Sequence, residues 1–120
     1  MSISITRIYT GDDGETHLED VTVEINEDGP LGTLSTMQAA TGVVFRRTAP
    51  GQSLDWHNAP RRQYVVLLSG PAVEIEVSDG EKRTIESGNI LLAEDTTGPG
   101  HISRVIDPSQ ERLSLFIPLA

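Results

Sequence analysis

The stretch Asp55-Trp56-His57-Asn58-Ala59-Pro60-Arg61-Arg62-Gln63-Tyr64 gathers most of the side chains in this sequence that can do chemistry. Successive side chains of an extended strand point to opposite faces. His57, Ala59, Arg61, Gln63, Val65 and Leu67 then share one side, and Asn58, Arg62, Tyr64, Val66 and Leu68 the other. A strand that opens with an imidazole and an amide and continues as Val65 and Leu67 has the composition of a pocket's mouth and floor. Pro60 interrupts the ladder and makes the first part an edge or a bulge. A second polar spot is His101, which follows Glu94-Asp95-Thr96-Thr97-Gly98-Pro99-Gly100. Two glycines and a proline there predict a tight bend that holds the ring at the start of a strand.

Each of these groups has two readings. His57, Gln63 and His101 form the polar wall of a ligand pocket, with Gln63 as neutral donor and acceptor. Arg61, on the inward side, either clamps a ligand carboxylate or phosphate or stays at the mouth with Arg62 and pairs with acids such as Asp55. Trp56 and Tyr64 either line the pocket or serve a subunit interface. Glu94 and Asp95 either supply a general base beside His101 or are simply solvated. His17 lies on an acidic strand and is expected to be exposed. Gly11-Asp12-Asp13-Gly14 lacks the ligand spacing of a calcium loop and reads as an acidic β-turn.

The elements that position these residues are strands. No sustained helical period occurs; apolar and polar residues alternate in short runs broken by Gly, Pro, Asp and Asn. The runs are 3–9, 16–25, 41–48, 63–68, 72–78, 82–86, 89–93, 101–106 and 111–117. Asp79-Gly80 is the strongest hairpin signal, because both residue types tolerate positive φ. Residues 34–40 are expected to make a turn or two of helix. With nine or ten strands and turn signals between, the chain reads as an all-β sandwich or barrel. No repeat, low-complexity tract or linker is present, so residues 1–120 are expected to form one domain, with N-terminal strands in 1–40 and the barrel core in 41–120.

The chain has 120 residues, 18 acidic against nine basic side chains, and a net charge of -9. A surface this negative repels nucleic-acid backbones and anionic lipid headgroups, so neither partner is expected. The absence of cysteine rules out disulfides, thiolate metal sites and thiol nucleophiles. Met1–Thr6 lacks the features of a signal peptide, and no stretch approaches the ~20 apolar residues that cross a bilayer. A cytoplasmic location is expected. No Ser-His-Asp order, phosphate-cradling loop or dinucleotide fingerprint occurs.

Two segments resemble the motifs of the cupin superfamily. The first motif of that family runs Gly, five residues, His-x-His, three or four residues, Glu, six residues, Gly. The matching positions here are Gly51, His57, Ala59 in place of the second histidine, Gln63 in place of the glutamate, and Gly70. The second motif is similar to Gly88 through His101, with Glu94 at the proline position and a longer loop before the histidine. The resemblance implies a cupin-type double-stranded β-helix, or jelly-roll barrel, that binds a small molecule, and a homodimer. Metal-binding cupins use three histidines and a glutamate. Carried over, the metal ligands here are His57, Gln63 and His101, which would hold iron, nickel, zinc or manganese with open positions. A cation there would support oxygenase, isomerase or lyase chemistry. The alternatives are a ligand-binding or sensor barrel without metal, and a purely structural dimerisation domain.

Overall fold

A computed structural model describes residues 1–120 and contains twelve strands and no helix. They are β1 (Ser2–Thr10), β2 (Thr16–Glu24), β3 (Glu27–Gly29), β4 (Gly32–Leu34), β5 (Val44–Thr48), β6 (Leu54–His57), β7 (Gln63–Ser69), β8 (Val73–Val77), β9 (Lys82–Ile85), β10 (Ile90–Ala93), β11 (His101–Val105) and β12 (Arg112–Pro118). A six-stranded sheet has the order β2-β1-β10-β7-β12-β5, and a four-stranded sheet the order β6-β11-β8-β9.

The strand pairing has a simple logic. β8 pairs with β9, β7 with β10, β6 with β11 and β5 with β12, all antiparallel. The segment from β5 to β12 is thus one long hairpin folded about Asp79-Gly80, where Gly80 has φ 97. Successive rungs fall alternately in the small and the large sheet. That winding is the double-stranded β-helix, or jelly roll. β1 then adds to β10 in parallel and β2 pairs with β1, which widens the large sheet.

The core between the sheets is built from Ile8, Leu18, Val65, Leu67, Val73, Ile75, Val77, Ile85 and Leu91, with Phe116 against it. All nine are aliphatic, because the chain has too few aromatics to fill it. Alternation is clean on β8, where Val73, Ile75 and Val77 are buried and Glu74 and Glu76 are not.

The helical turn expected over 34–40 does not form. Asn26–Leu34 folds back as the small hairpin β3–β4, turning at Pro30-Leu31 with Gly32 at φ 113. The backbone beyond it bonds to the chain's end instead of to itself: Thr41 N–H donates to Pro118 O and Ala120 N–H to Ala39 O.

Candidate functional site

Both sheets line a cavity of about 260 Å³. Its walls are apolar where it borders the core, at Ile8, Val65, Val73, Ile75 and Leu91. Its polar groups come from β5, β6, β7, β11 and β12, and from Asn58 in the loop after β6.

His57 ends β6 and His101 begins β11, and the two are direct partners across the antiparallel ladder. Their ring centroids are 4.3 Å apart. Gly100 permits this approach: it has φ 75, and a Cβ there would overlap the His57 carbonyl. Each ring is anchored through Nδ1. His57 Nδ1–H donates to Asp55 O at 2.7 Å, and His101 Nδ1–H donates to Asp95 Oδ2 at 2.6 Å. Both Nε2 atoms are thereby kept for a ligand. Burial holds the His57 imidazole below its ordinary pKa; neighbouring His101 acts in the same direction, and the Asp55 carbonyl opposes both.

Gln63, the first residue of β7, is 2% exposed and lines the same cavity, and its Oε1 has no hydrogen-bond partner. Ala59 is buried on the cavity wall, with its N–H donating to Asp95 O. Asn58 Nδ2 ties the same loop down through Asp95 O and Gly98 O.

Three residues assigned to the pocket from the sequence stand elsewhere. Arg61 is exposed, off the cavity wall and without an ion pair. Continuous alternation from His57 to Leu67 fails because the chain leaves the sheet between His57 and Gln63. Trp56 points outward from β6, as its neighbour His57 points in. Tyr64 lies on the outer face of the large sheet among Ile3, Ile5, Val66 and Ile117, and its hydroxyl donates to Gln38 Oε1. Arg62 pairs with Glu94, which Arg7 also holds, so Glu94 is turned away from His101. His17 bridges Asp13 and Asp79, away from the cavity.

Two cavity residues carry a charge that the sequence reading did not place there. Arg46 on β5 and Arg112 on β12 both line it. Ser114, directly opposite Arg46 in the ladder, accepts from Arg46 Nε at 3.0 Å. The Arg46 guanidinium also stacks 4.4 Å above the Phe116 ring.

A divalent cation does not suit this donor set. The available groups are two imidazoles and one amide oxygen, with a methyl group at Ala59 where a third imidazole would stand. No cluster of three His, Asp or Glu side chains with metal-binding geometry exists in the molecule, and no carboxylate lines the cavity. Two guanidiniums do, and they raise the electrostatic cost of any added cation.

No protein-family description matches the sequence, and no curated protein does. Among solved structures, a Pseudomonas putida prolyl-4-hydroxylase is similar with 20% sequence identity and a TM-score of 0.45. The similarity covers 64% of this chain and 49% of that one, so the chain spans about half the hydroxylase's length. No helix is long and apolar enough to cross a membrane.

Proposed function

We propose that this chain is a cupin-type barrel that binds a small molecule against His57, His101 and Gln63 and does so without a divalent metal. The observation that carries this reading is the anchoring of both imidazoles through Nδ1, which leaves two Nε2 atoms free on side chains that line one cavity together with the unpartnered amide oxygen of Gln63. Buried polar atoms are ordinarily satisfied, and a ligand that exchanges hydrogen bonds with the three groups would satisfy them. Membership of the cupin superfamily is supported by the motif-like segments Gly51–Gly70 and Gly88–His101, which supply β6, β7, β10 and β11 of the barrel.

A second reading has one specific support. Asp95 and His101 form a buried carboxylate–imidazole pair that fixes the tautomer of His101. Such a pair suits proton transfer at Nε2 in an isomerase or lyase reaction. A homodimer belongs to the same proposal: Phe45, Leu68 and Leu113 are exposed together beside β5, which is the open edge of the large sheet.

The test is elemental analysis of purified protein, with mass spectrometry of any small molecule that co-purifies. His57→Ala and His101→Ala are expected to lose the small molecule and keep the β-sheet circular-dichroism spectrum. One equivalent of metal in the wild type, absent from both variants, sinks the metal-free reading.

A further inference from the structure

Nine side chains in this protein are cationic. Six of them, Arg7, Arg47, Arg62, Lys82, Arg83 and Arg104, pair with carboxylates. Arg61 is solvated at the surface. The two left over are Arg46 and Arg112, and both are on the cavity wall.

Arg112 is 5% exposed, and its Nε and Nη1 are buried without any hydrogen-bond partner. Arg46 has only the neutral Ser114 hydroxyl and the Phe116 ring. The two sit diagonally on the inner face of neighbouring strands: Arg112 is opposite Thr48, and Arg46 opposite Ser114. Like charges in adjacent cross-strand positions repel, and taking a guanidinium out of water without a counter-charge is costly. The strain shows in both side chains: burial pulls each guanidinium below its ordinary pKa, and Arg112 adds to the effect at Arg46. With twice as many acids as bases in the chain, an acid could have stood opposite either arginine; none lines this cavity.

We propose that Arg46 and Arg112 form the anion subsite of this cavity, and that its ligand is a small organic oxyanion, a carboxylate or a phosphate ester, with an apolar body. With Nε and Nη1 both buried and unpartnered, the Arg112 guanidinium keeps charge-assisted N–H donors for the oxygens of a carboxylate or phosphate. The apolar body lies along Val73, Ile75 and Leu91, and the far end reaches the imidazoles. The inference rests on the ligand-binding reading above and names the class of molecule bound.

A set of four compounds with the same six-carbon body separates the possibilities: hexanoate, hexyl phosphate, hexanol and hexylamine. Binding is read by calorimetry and by NMR of the arginine side-chain Nε–H groups. Hexanoate or hexyl phosphate is expected to bind and shift the Arg112 Nε–H signal, and which of the two binds tighter identifies the headgroup. Hexanol and hexylamine are expected to bind at least ten times more weakly. Arg112→Met should remove that preference for anions. It should also raise the melting temperature of the ligand-free protein, since it deletes an uncompensated buried charge. Equal binding of hexanol and hexanoate overturns the anion subsite and leaves the ligand-binding reading standing. Anion binding that needs Arg112 and ignores His57→Ala does the reverse. Failure of all four to bind, or a lower melting temperature for Arg112→Met, counts against the subsite.

Discussion

Asp95 and His101 are joined by a 2.6 Å hydrogen bond between two buried side chains, and the second Asp95 oxygen has no partner. The carboxylate therefore has one evident task among the side chains, to orient the imidazole. Asp95→Ala removes the acceptor and strands the His101 Nδ1–H, a loss of about 1–3 kcal/mol. Urea unfolding measures it, and NMR of the ring nitrogens should show His101 exchanging between tautomers. A variant as stable as the wild type with an unchanged ring spectrum would contradict this role.

Gly100→Ala tests the contact that joins β6 to β11. A side chain at φ 75 is strained, and the added Cβ meets the His57 backbone, which cannot move without breaking the ladder. The expected loss is at least ~3 kcal/mol. Gly80→Ala is the control: it has φ 97 with open space around the position and should lose only the backbone term, about 1 kcal/mol. Equal losses at the two positions would show that packing against His57 is unimportant.

Two histidines give stability opposite dependences on pH. The hydrogen bond to Asp13, followed by that to Asp79, raises the His17 pKa. Its folded value lies above the unfolded one, so its contribution is complete below about pH 6.5 and disappears as pH rises through the folded value. His57 is shifted down. As pH falls below about 6.5 the unfolded chain takes up a proton that folded His57 resists, and stability declines. Denaturation midpoints across this range should lose their alkaline fall in His17→Asn and their acid fall in His57→Gln. Unchanged profiles in both variants would remove the assignment.

The mismatch between this donor set and a divalent ion is testable by building the ligands that are absent. Ala59→His with Gln63→Glu supplies a third imidazole and a carboxylate on the cavity wall. The double variant should bind nickel or zinc at least a hundredfold more tightly than the wild type in a chelator competition, since charged donors are the stronger ligands. Micromolar or tighter binding by the unaltered protein would refute the donor-set argument.

Phe45 is 81% exposed on an edge strand. If a second copy covers it, light scattering gives twice the monomer mass, and Phe45→Asp returns the protein to a monomer with its melting temperature nearly unchanged. A monomeric wild type ends the homodimer proposal.

The sheet architecture was readable because turn formers and period-2 alternation speak plainly: Asp79-Gly80 turns, and Val73, Ile75 and Val77 bury one face. The cavity wall was only partly readable. Gln63 and His101 stood out as polar residues at the heads of apolar strands. Arg61 misled because alternation holds only while the chain remains in a sheet, and it leaves the sheet after His57. Arg46 and Arg112 were hidden for a different reason. Hydrophobicity alone would turn Phe45 and Leu113 inward, whereas both face out and the charged neighbours face in. The usable signal was the pairing of Arg46 and Thr48 with Arg112 and Ser114, a polar rung inside a barrel, which is visible only when the partner strand is known.

The nested pairing of β5 with β12 has a kinetic consequence. Arg46 and Ser114 meet across 68 residues of chain, among the longest loops this fold must close, and such distant contacts are slow to form. A bound oxyanion that bridges Arg46 and Arg112 then acts as a clasp on the two ends of the rolled hairpin. It should slow unfolding and leave the refolding rate alone, an outcome that stopped-flow traces with and without hexanoate can reveal.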